Sequence, residues 1–502
     1  MNTPTACYPS REPDVTLTAV CTRKQPYRQA VLLALLALLL FLSACSGQNQ
    51  PAPPAGAALV EPTIGPAAAA QSTPLPVTAA PSSATTPLPA TATETAAPAA
   101  ETATPFYYAT AEACGGLLPL LLESDAELVK ELDGESAGAR EALALVPEEA
   151  RPALERLLNA PDTVGLAAYR LGDEASGAYL NAGAPMPLAS VIKIVHLVAY
   201  AEAVESGELS PTTTVALADV ERFYQPTLDL RAHRQAVQAL EEDGRLFGEP
   251  QALLLDEVVR MMVEFSANAA TDYLHLLLGQ TRLEETAQAY LATPLSAPCP
   301  FLGQFLAMAN HTRPEVSGRA AYEAYLADPA RYGQEAMQYT LAFSEDEAFR
   351  QEAIAWRRSA RRPSVSTQRL FSETFNAQGT AAATAALMAT IATNGLGSAD
   401  SSFTVRRHLE WPMRYEANQE LFSNLGFKGG ALPGILTMTY YAYPAGETTP
   451  VVVALFFRDL PNDLYREWQR TLAHDEFARW LLYEPLAIPA LHAILSDTLP
   501  VQ

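Results

Sequence analysis

The chain has 502 residues, and at roughly 150 residues per domain this is room for about three units. Hydrophobic residues make up 49 % and charged residues 18 %, which permits a large core and excludes wholesale disorder. Acidic side chains outnumber basic ones 56 to 33, a net charge of −23, which excludes a nucleic-acid binder because counterion release needs clustered Lys and Arg.

The N-terminus carries Arg23, Lys24 and Arg28, then the uncharged run Ala30 to Leu42. These thirteen apolar residues suit a signal-peptide core and fall short of the ~20 that span a bilayer as a helix. The following Leu42-Ser43-Ala44-Cys45 resembles the bacterial lipobox. That resemblance implies cleavage before Cys45, lipid on its thiol, and an extracytoplasmic protein anchored to the bacterial cell membrane. Without residues 1–44 the balance becomes 29 basic against 54 acidic side chains. Cys7 and Cys21 leave with the signal, so Cys114 and Cys299 remain as thiols or as one disulfide in an oxidising compartment.

Residues 45–105 are dominated by Pro, Ala, Thr and Ser and bury too little to offset their conformational entropy, so they read as a disordered linker. Residues 106–160 read as a helical extension, with amphipathic stretches such as EEARPALERLLN. Thr163 to Asn181 gives two apolar runs around a Gly-Asp turn, a hairpin pattern. Helical periodicity fills 190 to about 400, with loops near 210–235 and 293–315 and a helical insertion at about 316–375. A second hairpin pairs Gly434–Tyr443 with Pro450–Phe457, and one helix around Leu464–Leu482 follows. Strands near both ends of a helical middle predict an α+β fold: one antiparallel sheet from N- and C-terminal strands, flanked by helices, plus an all-helical subdomain.

Only four lysines stand against 29 arginines, and two of the four fall in short motifs. Ser190-Val191-Ile192-Lys193 opens an apolar helix, where positions i and i+3 share a face and a neutral amine can take the serine's proton. A serine N-cap followed by a surface lysine has the same spelling, yet Val191, Ile192, Ile194 and Val195 leave little water for a surface charge. Ser266-Ala267-Asn268 lies between two helical stretches and can aim a hydroxyl and an amide the same way; helix-to-helix turns favour these residues as well. Lys428-Gly429-Gly430-Ala431 precedes a predicted strand, its glycines admitting a ligand close to the backbone and its lysine supplying a point charge for a carboxylate.

The order of the three motifs resembles the S-x-x-K, S-D-N and K-T-G set of class A β-lactamases and related penicillin-recognising serine hydrolases. The flanks PLASVIK, SANAATDYL and KGGALPGILT resemble that family too, over roughly residues 160–485, and predict a hydrolase domain at 161–490. The resemblance implies a β-lactamase/transpeptidase-like fold; no cofactor is expected, the seven scattered histidines and two remaining cysteines predict no metal site, and the chain is expected to be monomeric. It implies that Ser190 is acylated, Lys193 accepts its proton, Ser266 relays a proton to the leaving nitrogen and Asn268 contacts Lys193 and the substrate amide. Lys428 would attract the substrate carboxylate beside Gly430, and the N–H groups of Ser190 and Ala431 would form an oxyanion hole. Its substrates would be β-lactams or peptidoglycan-derived compounds, and a D-Ala-D-Ala peptidase, an esterase or a non-hydrolytic penicillin sensor fits the same motifs. Ala267 and Gly429 depart from the pattern, and no E-x-x-L-N string follows Asn268. Glu315 is the nearest candidate for a deacylating base. His196 is expected to pack against its helix; His233 could line the cleft, and a surface position is the expectation.

Overall fold

The computed structural model describes Cys114 and residues 144–229, 231–291 and 298–498. The signal, the linker, Cys45 and most of the 106–160 extension lie outside these residues. Helix α1 (Arg151–Asn159) leads into β1 (Val164–Arg170), β2 (Ala178–Leu180) and a short β3 (Met186–Pro187). Then come α2 (Lys193–Glu205), β4 (Thr214–Ala216), α3 (Leu217–Glu221), α4 (Ala232–Glu242), β5 (Ala252–Leu254), α5 (Leu255–Val263), α6 (Asn268–Leu278), α7 (Gln280–Leu291) and α8 (Phe301–Ala309). The predicted insertion is four helices, α9 (Gly318–Ala327), α10 (Pro329–Glu345), α11 (Glu347–Arg358) and α12 (Val365–Phe375). The chain continues with β6 (Gln378–Gly379), α13 (Ala381–Ala392), α14 (Ala399–Leu409), α15 (Glu416–Leu421), β7 (Phe422–Leu432), β8 (Ile435–Pro444), β9 (Val451–Phe457), α16 (Asn462–Thr471), α17 (Ala473–Tyr483) and α18 (Ala487–Thr498).

The main sheet has the order β2-β1-β9-β8-β7, antiparallel throughout, so both predicted hairpins form and the N-terminal one docks on the C-terminal strands. Its centre is buried on both faces because side chains alternate across the sheet. Val453, Leu455 and Phe457 of β9 pack with α1, α17 and α18, while Val452, Ala454 and Phe456 face α2 and α13. Helix α13, AAATAALMATIA, is nearly all small residues and lies against β1, β8 and β9.

Four expectations need correction. The Lys428 motif does not precede a strand but sits inside β7, because its glycines pair with Met438 and Thr437 of β8 and tertiary pairing overrides their weak strand preference. The stretch 293–315 is not all loop: α8 forms within it, and a Cβ at Gly303 would lie 1.8 Å from the Ala336 carbonyl oxygen of α10, so this glycine permits the two helices to touch. The stretch 210–235 likewise holds β4 and α3. The single C-terminal helix is broken at Leu472, whose φ of +63° is left-handed, and α18 follows the two halves. Cys114 and Cys299 form a disulfide with 5.2 Å between their Cα atoms, across a sequence separation of 185. Closing so long a loop contributes about 3–5 kcal/mol in the chain-entropy account. It also anchors the residue two places before Phe301.

Candidate active site

Ser190 lies in a 3-10 turn, Ala189–Ile192, that runs into α2. The turn is fixed from three sides. Leu188 N donates to the Ala377 carbonyl at 2.8 Å, Ala189 N donates to Asn376 Oδ1 at 2.8 Å, and Thr437 Oγ1 of β8 donates to the Leu188 carbonyl at 3.0 Å. Ala189 takes a φ of +47°, a conformation an L-residue adopts only when its surroundings impose it.

Lys193, the first residue of α2, is fully buried. Its Nζ donates to the Ser266 carbonyl at 2.7 Å and to Asn268 Oδ1 at 2.7 Å, and lies 3.3 Å from Ser266 Oγ. A neutral amine has two N–H groups; these two oxygens use both and leave its lone pair for a proton. Burial lowers its pKa from the ordinary lysine value to about 7, against the opposing pull of Asp229 and Asp272. Lys428 Nζ reaches the same Ser266 Oγ at 3.0 Å and donates to the Gly429 carbonyl at 2.8 Å. Burial, and secondarily the Lys193 charge, pushes it well below the usual lysine range.

Ser266 holds its place through a left-handed φ of +59° between α5 and α6. The start of α6 is capped from afar: Asp229 accepts from Asn268 N at 2.9 Å and from Ala269 N at 3.1 Å. A carboxylate from another loop thus serves the helix end next to Ala267. Asp272, one turn along α6, accepts from Phe301 N at 2.7 Å and Leu302 N at 2.8 Å and so fixes the start of α8. Burial raises its pKa to about 7. The Phe301 ring lies over the Lys193 amine, 4.6 Å from centroid to Nζ.

Strand β7 closes the site with its free edge. A Cβ at Gly430 would stand 2.4 Å from Ser190 N, so only glycine admits this approach. The resulting cavity, about 160 Å³, is lined by Ser190, Ser266, Asn268, Gly430 and Ala431 among others. The structure therefore brings together Ser190, Lys193, Ser266, Asn268, Lys428, Gly430 and Ala431. Glu315 is exposed in the segment between α8 and α9 and is not among the cavity's lining residues. Fully buried His196 meets His275 at 3.1 Å, packed as expected. His233 is buried rather than at the surface, stacked on Tyr224 at 4.5 Å, because α4 turns its apolar face inward. Sequence reasoning missed Asp229, Asp272 and Phe301, and it missed Arg357 and Gln368, which the insertion contributes to the cavity.

The sequence profile of the beta-lactamase enzyme family matches residues 149–324. No curated protein matches the chain. Among solved structures, a beta-lactamase from Sphaerobacter thermophilus is 16 % identical with a TM-score of 0.37, covering 74 % of this chain and 100 % of its own. A beta-lactamase from Chitinophaga pinensis is 15 % identical with a TM-score of 0.36, covering 63 % and 93 %. PBP-A is 14 % identical with a TM-score of 0.34, covering 62 % and 89 %.

Proposed function

We propose that this chain, whose residues 149–324 match the beta-lactamase enzyme family, is a serine acyl-transfer hydrolase that forms an acyl-enzyme at Ser190 and releases it slowly. The observation that carries this reading is the Ser266 hydroxyl, held between the amines of Lys193 and Lys428 in the cavity that Ser190 lines. Ser190 Oγ attacks the carbonyl of a β-lactam or a related amide or ester while Lys193 takes its proton. The C–N bond, or the C–O bond of an ester, then breaks, and the proton passes from Lys193 through Ser266 to the leaving nitrogen or oxygen. Asn268 orients Lys193, Lys428 draws the substrate carboxylate, and the N–H groups of Ser190 and Ala431 stabilise the oxyanion.

Slow release is supported by what lies beside Lys193. Phe301 covers the amine, and Asp229, the one carboxylate among the described residues lining the cavity, is committed to two backbone N–H groups. Mixing the protein with a chromogenic cephalosporin is expected to give a burst of one equivalent and then a much slower steady phase. Fast linear turnover with no burst would count against the proposal.

Gly430→Ala tests the oxyanion site, since the added methyl would displace the Ser190 N–H. Acylation is expected to slow about 10²- to 10³-fold, and the melting temperature to fall as well, because the methyl presses on the Ser190 backbone, Ala189 and Thr437; binding of intact β-lactam to the folded variant separates the two effects. A rate within threefold of the parent would remove that N–H from the mechanism.

The sequence around Cys45 supports an extracytoplasmic lipoprotein. Cys45→Ser is expected to abolish palmitate incorporation and move the protein from the membrane to the soluble fraction; unchanged partition would refute the anchor.

A further inference from the structure

Beyond Gly430 the cavity continues along β7, past Ala431, to Leu432 and Pro433. At the rise of a strand, Pro433 stands ~10 Å from Gly430, on the side away from Lys428. Phe305 and Met308 of α8 join the lining, and the insertion contributes Arg357 from α11 and Gln368 from α12. Arg357 is 8 % exposed and Gln368 7 % exposed. Helix α11 is held against α8 beside Arg357, where Trp356 Nε1 donates to the Ala309 carbonyl at 2.8 Å. Gln368 is oriented through its Nε2, which donates to the Pro363 carbonyl at 3.0 Å.

Arg357 is the only cation among the described residues that line this cavity. A guanidinium keeps its charge at any accessible pH and presents a planar fork matched to a carboxylate. The surrounding rings and thioether lower the local dielectric and strengthen such a pair.

We propose that this end of the cavity is a subsite for the acyl side of the substrate, taking a flexible apolar chain that ends in a carboxylate paired with Arg357. The assignment rests on the acyl-transfer reading for its direction: with the leaving-group carboxylate at Lys428 and the reacting carbonyl at Ser190 and Gly430, the acyl chain extends toward Pro433. Gln368 offers its amide to the same carboxylate or to a chain amide.

The test uses Ser190→Ala protein, so that binding is read without any covalent step. Two probes are compared by calorimetry, 6-aminopenicillanic acid acylated with adipic acid and the same nucleus acylated with hexanoic acid. The adipoyl compound is expected to bind at least tenfold more tightly. Adding Arg357→Met is expected to erase the difference, while adding Arg357→Lys, which keeps the charge, retains most of it; the melting temperature of each double variant confirms its fold. Equal affinities in the Ser190→Ala protein, absence of binding by either compound included, would overturn the subsite, and so would a preference that survives Arg357→Met. Failure of acyl transfer would show separately, as unmodified Ser190 in the parent protein treated with the hexanoyl compound.

Discussion

Ser190→Ala is expected to abolish covalent capture of any β-lactam while leaving the fold intact. The side chain is half-buried at the cavity wall, and the turn that carries it is held by backbone and by Asn376 and Thr437, none of which needs the Ser190 hydroxyl. Loss of an attacking hydroxyl in a serine enzyme costs about 10⁶-fold, which places the residual rate below detection in a burst experiment. Labelling with a fluorescent penicillin followed by denaturing electrophoresis reads the effect. A band of parental intensity in the variant would assign the chemistry to another nucleophile.

Lys193→Ala is expected to slow acylation about 10²- to 10⁴-fold, the usual worth of a positioned general base. Burial holds the amine at about 7, so the free base is the active form above that pH and the protonated form is inert below it. The parental acylation rate should therefore fall about tenfold per pH unit below 7 and level off above it, and the variant should lose this dependence. Stability moves the same way: with the folded pKa below the unfolded one, protons taken up on unfolding make the fold more stable as pH rises from about 7 toward 10. Since removal of a fully buried amine also takes its donor from Asn268 Oδ1 and the Ser266 carbonyl, the melting temperature is measured alongside. A rate reduced less than tenfold, or an unchanged pH profile, would show that another group takes the proton.

How much of this was legible in the sequence follows from distance along the chain. Ser190 and Lys193 are one turn apart, and Ser266 and Asn268 share a turn, so local periodicity was enough to pair them. Lys428 was found because lysine is scarce, although its strand was not: Gly429 and Gly430 carry no strand signal, and β7 exists through its pairing with β8. Asp229, 39 residues from the helix it caps, reaches the site from another loop, where no spacing rule applies. Phe301 was hidden in a stretch read as loop, because Pro300 and Gly303 look like breakers; one caps α8 and the other lets it touch α10. The Cys114 to Cys299 pairing was open because no local pattern links residues 185 apart. Arg357 offered nothing in sequence to set it apart from 28 other arginines, since its meaning comes from where α11 packs.

The central claim is that Ser190 carries a long-lived acyl group. Intact-mass measurement after mixing with benzylpenicillin, followed by peptide mapping of the adduct and quantification of free penicilloate, tests it in one experiment. The account predicts one adduct per chain, located on Ser190, that persists while little penicilloate accumulates. An unmodified protein that nevertheless converts the penicillin, or an adduct on any other residue, would contradict it.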